Sequence, residues 1–326
     1  MVRHACQFRE GQPAAQYRMP TETDALETIQ DFVRWGASRF GEAGLYFGHG
    51  TDNAFDEAAW LVAHSLHMPP TRIGDFAGCR ITETERAAVL ELLDRRIDER
   101  RPAAYLTGRT WFAGLQFVVD DNVMVPRSPL AELVTDGFAP WADPARIGRV
   151  LDLCTGSGCI GIAAAMYLPD ADVDLTDISP AALRVAARNR ALHGLEERVR
   201  LIESDLFAGL DEQGYDVIVS NPPYVAAAEL ESLPAEYRHE PRLAFAAGET
   251  GLDLVLRILR DAPDFLAEDG ILVVEVGNTA ETLTERFPGL PCTWLDFERG
   301  GEGVFLLHRQ ELTDHHPLFA EALAAL

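Results

Sequence analysis

The chain has 326 residues, of which 47% are hydrophobic and 25% charged, a globular balance that excludes a disordered, fibrous or membrane-embedded protein. That length holds one catalytic domain of ordinary size and a smaller accessory one, since single domains run to roughly 100 to 200 residues. The formal net charge of −24 works against unassisted binding to nucleic acid, which needs clustered Lys and Arg, and favours a basic protein partner.

The N-terminal segment 1–22 mixes Arg, Gln, Gly and Pro without periodicity and is expected to be flexible. It has no apolar core, so neither a signal peptide nor a membrane anchor is expected. The cysteines, Cys6, Cys79, Cys154, Cys159 and Cys292, are odd in number and lack paired CxxC spacing, which fits a reducing cytoplasm. No stretch reaches the ~18 apolar residues that span a bilayer, so a soluble, cytoplasmic protein is expected.

From residue 23 the run Leu26, Ile29, Phe32, Val33, Phe40 recurs at helical spacing. Helical patterns follow at 55–66 and 83–101, the latter with Val89, Leu92, Leu93 and Ile97 on one face. Residues 23–103 therefore read as a small helical domain. The short basic cluster Arg95, Arg96, Arg100 and Arg101 is interleaved with Asp94, Asp98 and Glu99 and reads as a solvated helix face. Over 104–126, Gly108 and Gly114 punctuate aromatic and β-branched runs, which predicts a β-hairpin linker.

Beyond it, over 127–310, strands are predicted at 149–154, 172–177, 199–203, 216–220 and 270–276, and a late pair at 292–297 and 303–308. Helical periodicity separates the first five, most plainly at 180–193 and 252–266. This alternation specifies an α/β doubly wound, mostly parallel sheet. The last two strands, joined through Gly300-Gly301, are too close for a parallel crossover and should close the sheet as an antiparallel hairpin. That ending points to the class I methyltransferase variant of the fold. Residues 311–326 read as a C-terminal tail.

The run VLDLCTGSGCIG at 150–161 is a strand, a glycine-rich turn and a small-residue helix. Gly156 and Gly158 let the backbone pass close under a ligand, and the helix N-terminus offers N–H groups to a carboxylate. Asp152, Cys154 and Ser157 of the same run are further candidate contacts. Asp177, at the end of the next strand, can accept from both hydroxyls of a ribose; the alternative, a helix N-cap, suits Ser179 better. Asp205 and Leu206, after another strand, are placed to meet an adenine, although a loop aspartate can also be merely solvated.

The run SNPPYV at 220–225 follows the apolar strand YDVIV. Its first proline forces Asn221 out of the helical region, and Pro222-Pro223 make a rigid turn whose carbonyls are fixed. The Asn221 side-chain oxygen and the Pro222 carbonyl can then accept both hydrogens of a planar NH2 group, with Tyr224 stacked on its plane. A turn of this composition can also simply terminate a strand, but it stands here in order after the glycine loop and Asp177.

Together these residues resemble the class I methyltransferases with an Asn-Pro-Pro-Tyr motif that methylate the side-chain amide of glutamine. The resemblance spans nearly the whole chain, adding VPRSP at 125–129 and LVVEVG at 272–277. It implies S-adenosyl-L-methionine as methyl donor, with S-adenosyl-L-homocysteine as product, and assigns substrate recognition to the helical domain 23–103. The family divides between peptide-chain release factors and the third protein of the large ribosomal subunit. Release-factor members usually carry an Asp or Glu and a Thr after PRP, whereas PRSPLAELV, with YLTG and WFAGLQF before it, resembles the ribosomal-protein group. The implied partner is a basic large-subunit protein, free or in an assembly intermediate, with no membrane and no direct DNA contact. A nucleic-acid amine methyltransferase could use the same turn on a flipped base but predicts a basic face. The nine histidines are expected at the surface, none has metal-ligand spacing, and methyl transfer needs no metal. Glu275, within LVVEVG, has no assigned role beyond the strand's edge.

Overall fold

The computed structural model describes residues 22–211 and 213–325, so the expectation for 1–22 lies almost wholly outside the described residues, as do His4 and Cys6. Three helices open it: α1 (Ile29–Glu42), α2 (Ala54–Ser65) and α3 (Glu83–Asp98), followed by the short α4 (Ala103–Thr107). Side-chain oxygens of Thr28, Asn53 and Thr82 accept from the first turns of α1, α2 and α3. Those caps satisfy amides that the helices themselves leave unpaired. Phe32, Phe40, Leu61 and Leu93 are fully buried where the helices meet, each worth roughly 2 kcal/mol of apolar transfer. Helix α3 stops at Asp98 rather than 101, because Arg100 takes φ +50° and Pro102 follows.

The arginine cluster is only partly a solvated face. Arg95 pairs with Glu99 at the surface, but Arg96 is completely buried, its Nε donating to Glu57 of α2 and its Nη2 to the Tyr46 carbonyl at 3.0 Å. Arg100 reaches Glu236 at 2.8 Å, far along the chain. Sequence spacing cannot show this, because the acids that neutralise Arg96 are not its neighbours in the sequence.

The hairpin is tighter than predicted: β1 (Arg109–Phe112) and β2 (Leu115–Val118) join through Ala113-Gly114, with φ of 50° and 76°. Phe112 and Phe117 enter the core of the following sheet, while Val119, Val123 and Val125 enter the helical core.

After α5 (Leu130–Thr135) come β3 (Arg149–Leu153), α6 (Cys159–Tyr167), β4 (Asp172–Asp177), α7 (Pro180–Leu192), β5 (Val199–Glu203) and β6 (Tyr215–Ser220). The chain continues through α8 (Ala227–Leu230), α9 (Asp253–Phe265), β7 (Leu266–Glu275), α10 (Ala280–Arg286), β8 (Thr293–Trp294), β9 (Val304–His308) and α11 (Arg309–Ala324). The sheet order is β5-β4-β3-β6-β7-β9-β8; its first five strands are parallel, and β9 runs antiparallel to both β7 and β8. This is the class I methyltransferase fold, mostly parallel with an antiparallel closing hairpin. Alternate side chains serve two cores: Val150, Val217 and Val273 lie with α6, and Leu151, Ile218 and Leu272 with α9 and α11.

Three details depart from expectation. Strand β7 starts at Leu266 rather than 270, because Leu266 already pairs with Tyr215 before a register shift. Strand β8 keeps only two residues of the predicted 292–297. The predicted tail is helix α11, whose fully buried Leu312 and Phe319 pack in the core shared with α9 and β7.

Strand order reverses between β3 and β6, so the connections leaving their carboxyl ends diverge and open a crevice there.

Candidate active site

A cavity of about 400 Å³ occupies that crevice. Its walls are the glycine loop after β3, the ends of β4 and β5, the Asn-Pro-Pro turn after β6, the hairpin exit at Met124, Pro126, Arg127 and Ser128, and a segment containing Pro241 and Leu243.

The glycine loop is built by backbone that bulky residues resist: Cys154, Gly156 and Gly158 have φ of 58°, 55° and 82°. Asp152, fully buried beneath it, accepts from Thr155 Oγ1 at 2.5 Å and the Gly161 amide at 2.9 Å, tying loop to helix α6. Burial pushes its carboxyl up to about 7. Cys154, Gly156 and Ser157 line the cavity, whereas Asp152 and Gly158 stand behind it. Gly158 is a packing residue: a Cβ there would lie 2.9 Å from Ile162 Cδ1.

Asp177 ends β4 on the cavity wall. Its Oδ2 accepts from the Gly156 amide at 2.9 Å and its Oδ1 from the Ser179 amide at 2.8 Å. Ser179 Oγ accepts from Ala182 at 3.2 Å and caps α7, so Asp177 is left facing the loop. Burial raises its pKa, and those two amides oppose the rise. Asp205 lines the cavity paired to Arg257 of α9 at 2.9 Å, and the half-exposed pair closes one end. Leu206 lies beside it with φ 53°.

At the far end, Ser220 Oγ donates to the Leu153 carbonyl at 2.9 Å and locks β6 to β3. Asn221 and Pro223 line the cavity; Asn221 Oδ1 is buried and has no hydrogen-bond partner among the described residues. Pro222 and Tyr224 are not part of the wall. The Tyr224 hydroxyl instead donates to Glu275 Oε1 at 3.3 Å, and its ring lies so close to Gly277, φ +48°, that a Cβ there would come within 2.7 Å. Glu275 Oε2 accepts from Ser128 Oγ at 2.5 Å.

Arg127 makes a two-pronged ion pair with Glu240, both bonds 2.7 Å, and lies over the Tyr237 ring at 5.2 Å. Burial alone would raise the Glu240 carboxyl, but Arg127 overrides it and holds the group down at about 2. His49, expected at the surface, is buried against this pair, Nε2 3.5 Å from Glu240 and ring 4.6 Å from Tyr237. Sequence reasoning missed Arg127, Ser128, Glu240 and Arg257 as parts of the wall or its support. VPRSP was a visible signal for the first two; nothing local marks Glu240.

Comparison with known proteins gives this geometry a family. Residues 138–235 match the Methyltransferase small domain and residues 31–108 the PrmC N-terminal domain. The chain is 50% identical to a ribosomal protein uL3 glutamine methyltransferase of Bordetella pertussis over 88% of its own length and 97% of that protein. It is 51% identical to the Xanthomonas campestris protein of the same name, over 93% of this chain and 98% of the relative. The chain belongs to the ribosomal protein uL3 glutamine methyltransferase family. It is therefore an S-adenosylmethionine-dependent methyltransferase, as its motifs suggested.

The methyltransferase's crevice fits that donor chemically. The cavity volume falls in the ordinary range for cofactor sites, roughly 300 to 1,000 Å³. The Asp177 oxygens accept from the Gly156 and Ser179 amides, and a carboxylate oxygen with two lone pairs can accept a further bond. The loop that bears Gly156 runs into the N-terminus of α6, where amides are available to a carboxylate.

Proposed function

We propose that this methyltransferase transfers a methyl group to the side-chain amide nitrogen of a glutamine in ribosomal protein uL3. Two relatives of that name at half identity or better, each aligned over nearly its whole length, support the substrate. The net charge of −24 suits a basic partner. The observation that carries the chemistry is the buried, unpartnered Asn221 Oδ1 on the wall of the donor cavity.

An amide nitrogen is a poor nucleophile because its lone pair is delocalised, so catalysis rests on orientation and electrostatics. The donor supplies an electrophilic methyl on a sulfonium. In this reading the amides around Gly156 hold its carboxylate, Asp177 its ribose hydroxyls, and Asp205 with Leu206 its adenine. Asn221 Oδ1 and the Pro222 carbonyl accept the two hydrogens of the glutamine NH2, fixing its plane and favouring the charge that develops on nitrogen. Tyr224 steadies that plane, held by its own hydroxyl on Glu275. No general base is required, since the proton can leave to water after transfer.

Mass spectrometry of purified uL3 and of release factor, each incubated with enzyme and isotopically labelled donor, tests the reading. We expect one methyl on a glutamine of uL3, absent with Asn221→Ala. Label on the release factor alone would reassign the substrate, and label only on RNA or DNA would refute the amide reading.

A further inference from the structure

We infer that Glu275 is a positioning residue that turns the Asn221 amide so that Oδ1, rather than Nδ2, faces the substrate. The inference rests on the reading that Asn221 accepts from the glutamine NH2. An asparagine amide is nearly symmetric in shape, and the wrong way round it would set a donor against a donor. Some neighbour must therefore choose between the two orientations.

The β6–β7 ladder pairs Ser220 with Val274, so the residues that follow, Asn221 just beyond β6 and Glu275 at the end of β7, stand side by side at the carboxyl edge of the sheet. Glu275 is 5% exposed, its carboxylate accepts from Ser128 Oγ and from the Tyr224 hydroxyl, and the Asn221 side chain lies beside it and favours its charged form. An ionised carboxylate has only acceptors to offer. Asn221 must present Nδ2 to it, which leaves Oδ1 without a partner, as observed. The same carboxylate holds Tyr224 and, through Ser128, the hairpin exit, so one buried group sets the turn and the opposite wall.

The orientation is imposed only while Glu275 is charged; once protonated it becomes a donor and can bond Asn221 Oδ1 itself. Among the described residues, the charged and titratable groups that face it are Arg127 and Tyr224. Burial pushes the carboxyl up to about 7, against the opposing effects of Ser128, Tyr224, Arg127 and Asn221. Turnover should accordingly fall as pH drops through that value.

The test compares full-length wild type, Glu275→Gln, Glu275→Asp and Asn221→Ala on uL3 with labelled donor, from about pH 5 to 9. Calorimetric S-adenosylhomocysteine binding is measured in parallel. We expect Glu275→Gln, the neutral state made permanent, to lower kcat roughly 10²-fold, to keep inhibitor affinity within about twofold, and to lose the acid limb of the wild-type profile. Glu275→Asp should recover part of kcat and the acid limb. If Glu275→Gln keeps wild-type kcat and acid limb while Asn221→Ala is inactive, the inference fails and the amide reading stands. If Asn221→Ala is active, the underlying reading falls first. A loss of inhibitor binding that parallels the loss of kcat would make Glu275 structural only and also overturn the proposal.

Discussion

The Gly156 amide donates to Asp177 Oδ2 at 2.9 Å, fastening the glycine loop after β3 to the end of β4. One carboxylate thus shapes the loop and faces the cavity. Asp177→Ala removes both effects, and a hydrogen bond to a charged group is worth about 1.5 to 3 kcal/mol. Calorimetry should show S-adenosylhomocysteine binding weakened by about 10- to 100-fold, with little change in KM for the protein substrate. Undiminished affinity would remove Asp177 from the donor site.

Arg96 offers a stability test. It is fully buried among Glu57, Glu236 and the Tyr46 carbonyl, so Arg96→Ala strands buried carboxylates and should cost about 3 to 5 kcal/mol in urea unfolding. Arg95→Ala, which breaks only a surface pair with Glu99, should stay within about 0.5 kcal/mol. Equal effects would mean that Arg96 is not buried as described.

Glu240 links stability to pH. Its folded value of about 2 lies below the ordinary 4.5, so the folded state releases this proton more readily than the unfolded chain. The stabilisation, on the order of a few kcal/mol, is therefore present above about pH 4.5 and lost as pH falls toward 2. Glu240→Gln should be less stable than wild type at neutral pH, with the gap closing through that window. A gap that stays constant down to low pH would show that the ion pair with Arg127 is not its origin.

Helix α11 belongs to the folded core. Phe319 is completely buried and meets Phe287 at 5.8 Å between ring centroids. Phe319→Ala should destabilise by about 3 to 5 kcal/mol, and thermal melting would reveal it. A dispensable tail would tolerate the change without a shift in Tm.

Much of this protein was legible in its sequence because the governing rules are local. Apolar spacing of 3.6 marked α1, α2, α3, α7 and α9, and Ser179 caps α7 as its place before Pro180 implied. Alternation of strand and helix set the parallel sheet, and Gly156, Asp177 and Asn221, singled out as turn residues at strand ends, line the cavity. Tertiary structure alone decided which charges are buried and with whom. Ser128 and Glu275 lie 147 residues apart, and His49 meets Glu240 only because the helical domain closes on the loop beyond Tyr224. Composition cannot separate Arg96 from Arg95, or Glu275 from any strand-end acid. The cost of burying a charge depends on partners that folding supplies, and spacing along the chain does not encode their distance in space.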